Sequence, residues 1–361
     1  MREQASRLLS FVHGSDAGVG EVGAALVRAR TLFSHRAVVL GRDREELVSG
    51  LGVVAGGGDA AGVVRGVAGP SRVAVVLPGQ GAQRLGMGHE LAESCPVFAA
   101  AFNEVCVLLD GLLGCSLREV MWGSDADALN RTGCAQPALF AVEVALLRQL
   151  LATGVVPEVL IGHSVGELAA AVVSGVLSLS DGCRLVAARA RLMQALPTGG
   201  VMVSLTSPDG TPPEIELPAE GVWTAAINTP GSVVLAGTRD AVTHIVEQCD
   251  RYQVHWLRVS HAFHTPLMDP ALEPFLEVAR TLTYRSPSIP IISTVTGETL
   301  TGEQARSPEY WVHQIRGTVR FADAITTAHT RGITTFLEAG PGTSLSTAIT
   351  TSHPDTTTIP T

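Results

Sequence analysis

The chain has 361 residues, 46% of them hydrophobic and 16% charged, and a formal net charge of −9, which is length and core material for one large domain and a smaller one. All 25 of its Lys/Arg cations are arginine, which disfavours the lysine-dependent chemistry of P-loop ATPases and kinases, Schiff-base enzymes and pyridoxal enzymes, and the acidic balance disfavours a general nucleic-acid partner. No run approaches the ~18 unbroken apolar residues of a membrane span, and no apolar stretch follows Arg2 and Arg7, so no signal peptide is expected and the expected location is cytoplasmic.

Residues 1–70 form an opening region of helix (VGAALVRARTLF), strand (SHRAVVLG), helix (REELVSGLGVV) and a glycine-rich loop. No residue pair in it suggests chemistry, and it reads as an interaction or linker module. From Ser71 the character changes. VAVVL is a short β-branched strand that ends in the glycine turn PGQGAQ. FAAAFNEVCVLLDGLL and PALFAVEVALLRQLLA are helical, and PEVLI is a second buried strand followed by a turn and a helix. This repetition predicts parallel strands with crossover helices.

Residues 200–262 alternate short strands (VMVSLT, VWTAAIN, SVVLAGT, VHWLRVS) with helical stretches, which suits a small ferredoxin-like insert. Beyond it come a helix (ALEPFLEVARTL), a strand (PIISTVTG), the aromatic segment PEYWVHQIRGTVRF, another helix and TTFLEAGPG. Residues 350–361 are polar, rich in Thr and Pro, and read as a linker or tail. Cys95, Cys106, Cys115, Cys134, Cys183 and Cys249 are scattered without a CxxC pair, as expected of reduced, mostly buried thiols rather than a zinc site.

Gly162-His163-Ser164-Val165-Gly166 matches G-x-S-x-G between a strand and a helix, the context of a nucleophile elbow. The glycines let a strained serine sit against closely packed backbone, and the helix N-terminus beyond supplies N–H groups for an oxyanion. A serine nucleophile needs a base. His261 and His264, in the loop SHAFHTPLMDP, are the best placed, and spacing does not choose between them. Asp181, Asp209, Asp240 and Asp250 have the chain order of a hydrolase acid, but none lies at a strand end facing the site. A Ser-His-Asp esterase is therefore incompletely supported.

LPGQGAQRLGMG, AQPALFAVEVALL, GHSVGELAAAVVSGVLSLSDG, AARARLMQALPTGG, AAINTPGSVVLAG, SHAFHTPLMDP, YWVHQIRGTVRF and FLEAGPG occur in this order. Together, from about Arg72 to Leu345, they resemble the acyltransferase domain of modular type I polyketide synthases, relatives of malonyl-CoA:acyl-carrier-protein transacylases. SHRAVVLGRDREELVSGL resembles the linker between the ketosynthase and acyltransferase domains of such enzymes.

The resemblance implies an α/β fold with four parts. A partial α/β linker occupies 1–70, an α/β-hydrolase-like subdomain with a parallel sheet 71–199 and 263–349, a ferredoxin-like subdomain 200–262, and a tail 350–361. It implies a ping-pong transfer through an ester on Ser164, with His264 as base and then acid, and with the backbone N–H groups of Gln80 and Val165 as oxyanion hole. A backbone carbonyl near Gln314 would orient the histidine, which removes the need for an aspartate.

Arg189 would hold the free carboxylate of a dicarboxylic extender, a contact suited to a bidentate guanidinium. His261 and Phe263 would line the substrate site, and His163, Asn228 and Gln314 would support it. HAFH, with Phe263 filling the space of a 2-methyl branch, points to malonyl-CoA. Val165 after the serine points the same way. No bound cofactor or metal is implied, and phosphopantetheine would arrive on an acyl carrier protein. A neighbouring ketosynthase and other synthase domains would be further partners. The alternatives are a serine acyl hydrolase of the editing-thioesterase kind and a methylmalonyl-specific acyltransferase.

Overall fold

The computed structural model describes residues 1–69, 71–218 and 220–361, and the chain divides into two units, Met1–Ser71 and Arg72–Thr361. In the first, strands β1 (His35–Val39) and β2 (Val63–Val67) pair antiparallel. Helices Arg2–His13, Val19–Ala29 and Arg44–Gly56 accompany them, and Val12, Val22, Leu47 and Leu51 form a small core. Asp43 caps the third helix by accepting from the Glu46 N–H at 2.9 Å, a signal the sequence carries openly. The first helix and β2 were not expected. Ala5 and Val12 are the only buried positions among the described residues of that helix, too few to write an apolar stripe.

The second unit is built on two sheets. Strands β3 (Val73–Leu77) and β4 (Val159–Gly162) pair in parallel in the first. The second contains β5 (Gly200–Thr206), β6 (Val222–Thr229), β7 (Ser232–Thr238), β8 (Gln253–Trp256) and β9 (Val319–Arg320). Strands β10 (Thr335–Glu338) and β11 (Thr357–Pro360) complete the first sheet in the order β11-β10-β3-β4, all parallel. VAVVL and VLIG are buried on both faces, as a parallel sheet covered by helices requires.

Helices Pro96–Leu113 and Thr132–Ala152 are long and apolar enough to cross a membrane by length and composition, a likeness not anticipated from the sequence. They pack on each other and on Leu179–Gln194, and most of Thr132–Ala152 is buried inside the protein.

Three expectations are corrected. The second sheet runs β8-β5-β7-β6-β9. Its first four strands have ferredoxin-like order and antiparallel pairing, yet only one helix, Arg239–Val246, accompanies them, and the Pro-rich stretch between β5 and β6 forms none among its described residues. PIISTVTG is not a full strand. Pro290 and Ile292 only bracket Leu160 on the free edge of β4, through hydrogen bonds of 2.9 and 3.0 Å. The tail is not simply a linker, because β11 adds an edge to β10 through its backbone, which needs no apolar side chains. Among the thiols, Cys106, Cys183 and Cys249 are buried, Cys95 and Cys134 are half-buried, and Cys115 is exposed.

Glu143, on helix Thr132–Ala152, is fully buried, and neither carboxylate oxygen finds a partner among the described residues. Burial pushes its pKa well above the ordinary 4.5. The folded chain therefore keeps a proton that the unfolded chain releases above that pH, and stability falls as pH rises. Glu143→Leu is expected to stabilise the protein by about 1–3 kcal/mol at neutral pH. Its advantage in thermal melts should grow between pH 5 and pH 8. An equal gain at both pH values would mean that the carboxyl is ionised in place.

Candidate active site

Ser164 (φ 53°) and His264 (φ 59°) are the only non-glycine residues with positive φ among the described residues. Two left-handed side-chain-bearing residues are a backbone cost that a fold retains where geometry matters. They meet: Ser164 Oγ lies 2.8 Å from His264 Nε2.

The glycines explain the elbow. A Cβ on Gly162 would stand 2.1 Å from the Glu167 nitrogen, and one on Gly166 would stand 2.6 Å from the Leu77 carbonyl oxygen. Strand β4 can therefore turn into helix Gly166–Val173 beside the end of β3 only without side chains at those positions. Gly79 serves the facing loop in the same way, since a Cβ there would lie 2.8 Å from the His163 carbonyl oxygen.

The hydrogen bonds fix the histidine's tautomer. His264 Nδ1 donates to the Gly317 carbonyl at 2.8 Å, so Nε2 carries the lone pair and accepts from Ser164 Oγ. Burial, then the charge of Arg189, pull the His264 pKa down to about 3, against the opposing pull of the Gly317 carbonyl. The tautomer and the 2.8 Å contact give His264 the geometry of a general base. The orienting carbonyl is that of Gly317, which corrects the position expected near Gln314. The Gln314 side chain instead donates from Nε2 to the Ser164 carbonyl at 2.6 Å and braces the elbow.

Arg189 comes from helix Leu179–Gln194 and is 1% exposed. Its Nη2 donates to Ser164 Oγ at 3.1 Å, while its Nε has no partner and no ion pair engages it among the described residues. Burial draws its pKa down to about 10, which still leaves it charged at neutral pH. A buried guanidinium beside a nucleophile, with no carboxylate in ion-pair contact among the described residues, is a site prepared for an anionic group.

The N–H groups of Gln80 and Val165 find no acceptor among the described residues, as two donors waiting for an oxyanion would. Gln80 is held from its side chain, donating to Thr132 Oγ1 and accepting from Gln136 Nε2, each at 3.3 Å. His163 Nε2 donates to Asn228 Oδ1 at 2.9 Å, joining the elbow to β6. Strand β9 pairs with β6 just beyond Gly317, and Thr318 Oγ1 donates to the Thr224 carbonyl at 2.7 Å, so the second sheet holds the carbonyl that orients His264.

His261 does not offer a ring nitrogen to a substrate, which corrects its expected role. Nε2 donates to the Leu196 carbonyl at 2.9 Å and Nδ1 accepts from Ser260 Oγ at 2.7 Å. It is buried and supports the loop from within. Phe263 is buried beside it, with ring centroids 5.9 Å apart.

Sequence reasoning missed Glu167, buried three residues after the nucleophile. It accepts from the Tyr310 hydroxyl, from Thr294 Oγ1 at 3.1 Å and from the Thr294 N–H at 3.3 Å. Burial pushes it up to about 7 against these donors, and its charge favours the protonated form of Arg189. A glutamate in a first helical turn reads from sequence only as a partner for the helix dipole.

Residues 75–359 match the acyl transferase domain family. The chain is 49% identical over 353 residues to the phenolphthiocerol synthesis polyketide synthase type I Pks15/1 of Mycobacterium marinum (strain ATCC BAA-535 / M), an alignment covering 96% of this chain and 16% of that relative. It therefore spans less than a fifth of that relative's length. Among solved structures it is similar to the acyltransferase domain from the second module of the salinomycin polyketide synthase, with 44% identity, a TM-score of 0.81, and coverage of 99% of this chain and 85% of that one. It is also similar to the acyl transferase domain of SpnD in complex with 2-(pent-4-yn-1-yl)malonyl, with 33% identity, a TM-score of 0.87, and coverage of 100% and 86%.

Proposed function

The chain belongs to the acyl transferase domain family, with relatives among modular type I polyketide synthases, and from that premise we propose that it takes malonyl from malonyl-CoA and passes it to an acyl carrier protein. Ser164 Oγ attacks the thioester carbonyl and gives its proton to His264 Nε2. The tetrahedral oxyanion accepts from the N–H groups of Gln80 and Val165. Its collapse breaks the C–S bond, and His264 returns the proton to the leaving CoA sulfur. In the second half the phosphopantetheine thiol of the carrier protein gives its proton to His264 and attacks the ester. The Ser164–acyl bond then breaks, and Ser164 Oγ takes the proton back.

One observation carries the choice of a dicarboxylic substrate: Arg189, buried, without an anionic partner among the described residues, and bonded to the nucleophile. Malonyl is the smallest common extender that supplies the missing carboxylate. The SpnD acyl transferase domain, solved in complex with a substituted malonyl, supports the same class. Phe263, buried next to His264, argues against a 2-methyl branch, although one methyl is worth only about 1–3 kcal/mol of discrimination. A carrier protein and a neighbouring ketosynthase are the partners this reading requires, in the cytoplasm, where acyl-CoA is supplied.

The test is intact-protein mass spectrometry after brief incubation with equimolar malonyl-, methylmalonyl- and acetyl-CoA. A single malonyl adduct, absent in Ser164→Ala, is expected. A methylmalonyl adduct would overturn the argument from Phe263 and leave the enzyme class standing. An adduct that survives Ser164→Ala would overturn the nucleophile.

A further inference from the structure

Among the described residues outside the active site, one group of His, Cys, Asp and Glu side chains brings three ligand atoms together: His329, His353 and Asp355, with those atoms within 4.8 Å of one another. They come from two segments. His329 lies in the last turn of helix Phe321–Thr330, His353 caps the end of helix Ser344–Ser352, and Asp355 stands in the turn that leads into β11.

We propose that these three side chains bind one divalent transition-metal ion of the zinc type, and that the ion ties the turn before β11 to helix Phe321–Thr330. The two imidazole rings stack with centroids 4.4 Å apart. His329 Nε2 lies 3.2 Å from Asp355 Oδ2, close to the ~3.3 Å between neighbouring ligand atoms in a tetrahedral site with ~2.0 Å bonds. His353 Nε2 has only a 3.5 Å contact to Thr326 Oγ1, at the limit of a hydrogen bond, so its lone pair is poorly used. Both histidines are half-buried and Asp355 is exposed, which leaves the fourth position open to water.

The donor set selects the ion. Two imidazoles and one carboxylate suit Zn²⁺, Ni²⁺ or Cu²⁺, whereas Ca²⁺ and Mg²⁺ require oxygen ligands. The consequence is mechanical. Strand β11 is an edge of four residues that pairs, among the described residues, only with β10, and the turn before it carries His353 and Asp355. A metal there would cross-link positions 26 apart in the chain, His329 and Asp355, and raise the free energy of lifting the edge strand away.

The experiment is calorimetric titration of the untagged 361-residue chain, freed of metal with a chelator, with ZnCl₂, alongside thermal melts. One equivalent should bind, and the melting temperature should rise by a few degrees, reversibly on adding EDTA. His329→Ala, His353→Ala and Asp355→Asn should each weaken binding by about tenfold or more. Co²⁺ should give visible absorption bands of nitrogen–oxygen coordination without thiolate charge transfer. Absence of stoichiometric binding would overturn the proposal. So would undiminished binding in the His329→Ala/His353→Ala double variant, which would assign the metal to other side chains, such as the exposed Cys115.

Discussion

His264→Ala is expected to load acyl groups about 10²–10⁴-fold more slowly than the parent chain, the contribution of a positioned base. The side chain is the only acceptor for the Ser164 proton among the described residues, with Nε2 at 2.8 Å and its tautomer set by Gly317. The loss should appear in kcat with little change in KM, because the imidazole acts on the proton in transit and not on the bound acyl group.

The pH dependence provides a second readout. With the His264 pKa held near 3, the base form persists far below the ordinary 6.5, so the acid limb of kcat/KM for loading should fall well below pH 6. Stability has the matching sign. Between pH 6.5 and 3 the unfolded histidine takes up a proton that the folded one refuses, so the folded state loses ground as pH falls through that window. His264→Ala should lose less stability on acidification than the parent. An acid limb at pH 6.5 would mean that the site is wetter than its burial implies. Loading at parental rates by His264→Ala, with the fold intact by circular dichroism, would remove the histidine from the mechanism.

Parts of this site are legible in the sequence for definite physical reasons. Short apolar runs such as VAVVL and VLIG, each running into a glycine turn, read as strands covered on both faces. Glycines at 162 and 166 announce the close approach that the elbow needs. Other parts carry no side-chain signal. The Gly317 carbonyl is a main-chain group that any residue could present, and what places it is a two-residue strand, Val319–Arg320, below the length at which periodicity can be read.

Strand β11 is hidden for a related reason, since TTIP joins the sheet through backbone hydrogen bonds from an edge and its polar residues resemble a linker. His261 and His264 illustrate a different limit. Three residues apart on one loop, they look equivalent until the fold commits both nitrogens of the first to Leu196 and Ser260. In the sequence, only resemblance distinguishes Arg189 from Arg184 and Arg191. Burial, which separates them physically, depends on which face of helix Leu179–Gln194 the second unit covers.

Arg189→Met is the more discriminating substitution, because activity and stability are expected to move in opposite directions. The guanidinium is buried, its Nε is unpartnered, and burial has already drawn its pKa down to about 10. An uncharged methionine of similar length would spare the folded state an uncompensated charge, and Glu167, already pushed up to about 7, would keep its proton. Replacement of a poorly compensated buried charge by apolar volume is neutral or stabilising by about 1–4 kcal/mol, so the melting temperature should hold or rise. Malonyl loading should fall by about 10²-fold or more, since a carboxylate would then enter a buried site with no cation, a loss of about 3 kcal/mol or more. Acetyl loading should be spared or improved, which separates a lost carboxylate contact from a damaged nucleophile. If malonyl loading by Arg189→Met matched that of the parent, the carboxylate would have to bind elsewhere. A protein that became less stable while losing malonyl and acetyl loading together would make Arg189 a structural prop for Ser164, through the 3.1 Å bond to Oγ, rather than the group that recognises the substrate.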